Sequence, residues 1–342
     1  MVVGHTLDMS LTPTIRDAPL VALYWSFRGL TAPLFLVVAG WALVSSVPQL
    51  DRSVVHRRVR RAALILALGY GLHWPGLSAA VAMEQEGTLW PHLFSFDALP
   101  CIGWCLLLGL GLLALLPRTP GRVGALGTLT MWLPFVVPLS WPVAEHSRWL
   151  WQGLLGHAEV RFPLIPWAAF FFLGMGLALV VRRLPDTRHR AMALLLAGGL
   201  LLLVLESTGL ESWSPESPWP TFYRMGQVML VLGTLSAGAI GRASVLGSLG
   251  RSSLGIYVAH LVLLYGWAGE EGLAVLVFRR LPLGLSLGLA ALVLIASASL
   301  AGQVPRALQW LGTFAAPRWL PPQTEPLEVP VSRPRSAPHR AR

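Results

Sequence analysis

Apolar residues fill this chain in nine long blocks, at roughly 28–47, 62–81, 98–116, 123–140, 164–181, 191–207, 222–240, 252–268 and 283–303. A bilayer crossing needs about 20 mainly apolar residues, and each block comes close to that length. The pattern therefore predicts an all-α integral membrane protein, a polytopic bundle. The apolar run before Asp8 is too short to cross. If block 28–47 runs inward, residues 1–10 lie outside, and His5 and Asp8 then end an earlier helix. The expectation is a bundle of about ten helices, with most of the first one preceding Met1. The plainer alternative is a short surface peg.

The connections alternate in chemistry. One set is basic: DRSVVHRRVRR (51–61), PRTPGR (117–122), RRLPDTRHR (182–190), GRASVLGSLGR (241–251) and everything after Gln303. Together these hold 19 of the 26 basic residues. The other set is rich in tryptophan and acid: MEQEGTLWPH (83–92), WPVAEHSRWLWQ (141–152) and GLESWSPESPWP (209–220). Positive charge is retained on the cytoplasmic side, and tryptophan favours the membrane–water boundary. The reading is a multi-pass protein of the inner (plasma) membrane with a cytoplasmic C-terminus. Residues 1–320 form the membrane domain. Residues 321–342, PPQTEPLEVPVSRPRSAPHRAR, lack an apolar face and read as a disordered basic cytoplasmic tail.

Composition agrees. The chain is 54% hydrophobic and 12% charged, against about 25% charged in soluble domains. Mean hydropathy is +0.62. The net charge of +10 comes entirely from arginine. Because these arginines mark one side of a membrane, the charge does not argue for nucleic acid. Cys101 and Cys105 lie four apart inside an apolar block and read as buried thiols.

Ionisable groups at membrane depth are expensive and mark function. His5 lies three residues before Asp8, a spacing that lets a carboxylate orient an imidazole on one helix face. An imidazole so held can take a proton from an incoming hydroxyl or amine; the alternative is an interfacial histidine and a helix-terminal aspartate with no chemistry. Arg28 and Asp97 stand at one membrane level, where they can pair or be solvated separately. His260 lies mid-helix in SLGIYVAHLVLLYG and needs an interhelical partner or a place along a substrate path. GSLGRSSLG (247–255) opens a helix. Arg251, Ser252 and Ser253 there suit either ordinary helix initiation or a phosphate group. Histidines 73, 92, 146 and 157 show no metal-ligand spacing, so no metal is assigned.

Four stretches carry a resemblance: VVGHTLD (2–8), RGLTAPLFLVVAGWAL (28–43), FPLIPWAAFFFLGMGLAL (162–179) and GSLGRSSLGIYVAHLVLLYG (247–266). In order and in membrane level they resemble the bacterial relatives of the heparan-α-glucosaminide N-acetyltransferase catalytic domain, in the transmembrane acyltransferase superfamily. That resemblance implies a bundle of about ten helices and an acetyl-CoA or other acyl-CoA co-substrate bound from the cytoplasm. It implies an acceptor reached from the other side, an envelope glycan, lipid or small molecule. It implies a catalytic polar residue closing the first helix, here His5, with Asp8 as orienter. It also implies that the helix start at Arg251, Ser252 and Ser253 contacts CoA phosphate, while Arg28, Asp97 and His260 are candidate substrate-binding groups from their place at membrane depth. One departure stands out: lysosomal members carry an acid in the second helix ahead of Phe-Pro-Trp, where this chain reads LTAPLF. The rival expectation is a transporter or flippase without acyl chemistry, which paired repeats and broken helices would favour. Prolines 33, 163 and 166 lie near block ends, yet no matched halves appear. Small residues in FLGMGLALV suit packing within one chain or across a homodimer.

Overall fold

A computed structural model describes residues 1–45, 52–116, 120–145, 153–155, 160–208, 217–238 and 250–310. The 321–342 tail and most of the 241–251 connection lie outside them. The expected helical architecture is found. In chain order the main elements are α1 (Val2–Ser10), α2 (Pro13–Arg16), α3 (Pro19–Arg28), α4 (Thr31–Ser45), α5 (Arg52–Gly71), α6 (Leu77–Gln85), α7 (Leu89–Leu93) and α8 (Ala98–Leu115). They continue as α9 (Pro120–Glu145), α10 (Leu164–Val181), α11 (Thr187–Ser207), α12 (Trp219–Ala237), α13 (Ser253–Tyr265), α14 (Leu273–Val277) and α15 (Leu283–Trp310). A two-stranded hairpin, β1 (Gly266–Trp267) with β2 (Glu270–Glu271), interrupts them. Among the described residues five helices are long and apolar enough to cross a membrane: α8, α10, α11, and the spans Gly121–Leu139 and Leu283–Gly302.

Three expected blocks are cut differently. Block 28–47 loses its first residues, because Arg28 closes α3 and α4 begins at Thr31. Block 62–81 is two helices. Trp74-Pro75-Gly76 lies between them, with Gly76 at φ +90°. Proline supplies no N–H for a helix to continue through, and that backbone angle suits glycine. Block 252–268 stops at Tyr265, where Gly266 turns at φ +82° into the hairpin. Its tip is pinned to the α5 end, since Trp267 Nε1–H donates to the Gly71 carbonyl at 2.8 Å.

The bundle packs through small residues, as helices do when lipid removes any hydrophobic preference for one another. α4 crosses α10 where Gly40 meets the Phe171 carbonyl and Gly174 meets the Val37 carbonyl. α11 crosses α12 at Gly198 and Gly226 in the same reciprocal way. The main core gathers α4, α8 and α10 around Phe170, Phe171, Phe172 and Met175. A second cluster of Val2, Met9, Ile256, Leu264, Val293 and Ala301 binds α1 to α13 and α15.

Candidate active site

α1 is short, yet it is held firmly at its end. The Met9 and Ser10 carbonyls, which a helix terminus leaves without partners, accept from the N–H groups of Arg279 and Leu281 at 2.8 Å each. Thr12 N–H then donates back to the Leu281 carbonyl at 3.1 Å. Within the helix, the buried Thr6 hydroxyl donates to the Val2 carbonyl at 3.0 Å. His5 is thus fixed between these anchors. Its Nδ1 lies 3.3 Å from the Tyr265 hydroxyl, and its ring centroid stands 5.4 Å from that of His260.

Asp8 faces elsewhere. Its carboxylate pairs with Arg16 Nη1 at 2.5 Å and Arg28 Nη1 at 3.1 Å. Both guanidinium carbons also lie over the Trp25 ring, at 5.2 Å for Arg16 and 5.0 Å for Arg28. Arginine can satisfy a carboxylate and an aromatic face at once. The Trp25 Nε1–H closes the assembly by donating to the Arg16 carbonyl at 3.3 Å. This clasp ties α2 and α3 to α1.

A cavity of about 770 Å³ opens beside these groups. Its wall takes His5 from α1, Arg16 from α2, Tyr24, Trp25 and Arg28 from α3, and His73 and Asp97 from either side of α6 and α7. Arg161, Phe162 and Trp167 close another side. Leu254, Tyr257, Leu261 and Tyr265 form a single face of α13, at helical spacing. From Leu254 to Tyr265 that face is about 16 Å long, at 1.5 Å per residue. The cavity therefore follows α13 over nearly its whole length.

The structure places the residues singled out from sequence as follows. His5, Arg28 and Asp97 all line the cavity. Arg28 pairs with Asp8, while Asp97 caps α8 by accepting the Ala98 N–H at 2.7 Å. Asp8 lies outside the lining and pairs with Arg16 and Arg28 in the clasp. His260 is fully buried behind His5, one position off the lining face of α13. Arg251 is exposed; Ser252 stands at the N-cap of α13 without a side-chain capping bond, and Ser253 is the first helical residue. All three precede Leu254 at the cavity's far end. Cys101 contributes to the wall and Cys105 is buried one turn further along.

Sequence reasoning passed over Tyr265, Tyr257, Trp25, Arg16 and Arg161, and weighed His73 only as a metal ligand. The two tyrosines share the i, i+4, i+8 face with Leu261, a signal present in the sequence. Nothing local marks Arg16 or Trp25, whose importance comes from α1.

One family model, described as an acyltransferase domain, matches residues 1–313. No curated protein matches the chain, and no solved structure does. The match takes in every cavity-lining residue, from Met1 to Gly266. With its apolar helices and a largely apolar cavity alongside α13 into which His5, Arg28 and Asp97 are set, the chain belongs to the acyltransferase-domain family of multi-pass membrane proteins.

Proposed function

We propose that the protein transfers an acetyl or similar acyl group from cytoplasmic acyl-CoA to an envelope sugar, glycolipid or small molecule. The observation that supports this most is the cavity along α13, with His5 on its wall and its far end beside Arg251–Ser253. A thin pantetheine-like arm suits such a passage, with its nucleotide left on the basic side. The α13 start and Arg251 offer N–H donors and positive charge to the phosphates. Arg28 and Asp97 face the acceptor. The closer kinship to the N-acetyltransferase relatives, which bears on whether the acceptor is an amine, is part of this proposal. So is the orientation, an inner-membrane protein with a cytoplasmic C-terminus.

The chemistry is a single displacement. The acceptor's hydroxyl oxygen or amine nitrogen forms a bond to the thioester carbonyl carbon while His5 takes its proton. Collapse of the tetrahedral species breaks the C–S bond. The departing CoA thiolate receives the proton from His5, so the imidazole returns to its starting form. Proton transfer by a placed side chain contributes about 10²–10⁴-fold.

The test is release of free CoA by membranes carrying the chain, supplied with acetyl-CoA or longer acyl-CoA and envelope extract. The expected result is acceptor-dependent release that falls at least about 100-fold in His5→Ala while the variant still inserts and folds. Undiminished release in that variant would remove His5 from the reaction. Absence of release from well-folded protein with every donor and extract would overturn acyl transfer.

A further inference from the structure

His260 has one nitrogen committed and one left over. Its Nδ1 lies 2.9 Å from the Ile256 carbonyl, which accepts only from an N–H. The neutral ring therefore carries its proton on Nδ1, and Nε2 presents a lone pair. The residue is completely buried, and Nε2 has no hydrogen-bond partner among the described residues. A buried acceptor left without a donor is costly, so such an atom calls for an explanation.

Two rings stand beside it: that of Tyr257, 5.3 Å away between centroids, and the imidazole of His5, 5.4 Å away and tilted by 54°. Two imidazoles joined by an N–H···N bond stand at about this separation, and catalytic hydrogen bonds in unliganded sites are commonly long or misaligned. His5 has Nδ1 engaged toward Tyr265, on the cavity side, which leaves Nε2 for a partner behind.

We propose that His260 is a positioning residue that fixes the tautomer of His5. Its Nε2 lone pair accepts the Nε2–H of His5, so the bare nitrogen of His5 is Nδ1, facing the cavity. Nδ1 is then the atom that removes the acceptor's proton. The Tyr265 hydroxyl donates to the same lone pair and yields that place to the incoming group. As the acceptor is deprotonated, His5 becomes an imidazolium whose Nε2–H is held more strongly by His260, a charge-assisted bond. His260 touches neither substrate nor the reacting atoms. This assignment rests on the reading of His5 as proton acceptor.

The experiment needs no substrate. Full-length protein carrying ring-¹⁵N histidine is placed in lipid nanodiscs, and the His5 signals are assigned by their loss in His5→Gln. The expected spectrum shows His5 with a protonated Nε2 and a bare Nδ1. In His260→Ala that preference collapses toward a tautomer mixture, and His260→Gln, whose Oε1 accepts at similar reach, restores it. A wild-type His5 protonated on Nδ1 overturns the proposal, as does an unchanged tautomer in His260→Ala. Should His260→Ala fail to fold, the wild-type spectrum decides through the presence or absence of ¹⁵N–¹⁵N coupling between the two rings. A bound Nε2–H in a protein that never releases CoA would instead count against acyl transfer alone.

Discussion

Arg28 crosses the backbone of α1 at Gly4 to reach Asp8. A methyl group on Gly4 would stand 3.1 Å from Arg28 Nε, and Arg28 Nη1 ends 3.1 Å from Asp8 Oδ2. The last turn of α3 is thereby laid over the helix that carries His5. One carboxylate serves two guanidiniums, so its charge matters more than its shape.

Asp8→Asn removes that charge and keeps the volume. The groups are about one-third exposed, at 31% for Asp8, 33% for Arg16 and 27% for Arg28. Exposure on this scale places the loss between a surface pair and a buried one, about 1–3 kcal/mol. The expected outcome is a lower unfolding midpoint and faster proteolysis of residues 12–30, with turnover reduced less than about tenfold. Turnover that drops by about 100-fold at unchanged stability, the scale of a lost proton-transfer group, would instead make Asp8 the orienter of His5.

The hairpin makes a second prediction. Trp267→Phe keeps the aromatic area and deletes the N–H that holds Gly71. The loss is about 0.5–1.5 kcal/mol, the net worth of one hydrogen bond. Hydrogen exchange at the Ala268 amide, which donates to the Trp74 carbonyl at 3.2 Å, should quicken, while the α4–α10 crossing keeps its protection. Equal exchange rates in both proteins would mean that the turn holds itself.

These two anchors show where the sequence was readable. Long apolar runs reveal membrane helices because length and composition are local properties. The division at Trp74-Pro75-Gly76 was also written locally but was masked by apolar residues on both sides. His5 stood out as a polar group ending an apolar run. Its contact Tyr265 lies 260 residues away, and no pattern in one chain reveals such a meeting. The spacing of Asp8 to His5 is local, whereas the two arginines that pair with it come from the next helices.

Packing at the α4–α10 crossing supports a third prediction. Gly174 touches the Val37 carbonyl, whereas Gly176, two residues on, would place a methyl group 3.9 Å from Leu126 Cβ. Gly174→Ala forces the helices apart and should cost about 1–3 kcal/mol, the range for overpacking. Gly176→Ala makes an ordinary contact and should be near neutral. Thermal unfolding of the two variants in the same detergent checks the difference. Similar midpoints would show that the crossing yields easily.

The last prediction concerns acid. Asp186 is the N-cap of α11. It accepts from the His189 N–H and lies 2.8 Å from His189 Nδ1, in the basic connection 182–190. These hydrogen bonds from His189 hold its carboxyl below the ordinary value of 3.8. A carboxyl with a depressed folded-state pKa adds stability above its unfolded pKa and loses it as pH falls through the folded value. The cap is therefore intact at neutral pH and fails under acid. Asn is as good a capping residue as Asp and carries no charge, so Asp186→Asn should unfold close to wild type at pH 7. Between about pH 5 and 3 the wild type should lose more of its midpoint than the variant does. Unfolding followed over that range decides the point. Parallel curves would mean that the Asp186 charge contributes nothing to α11.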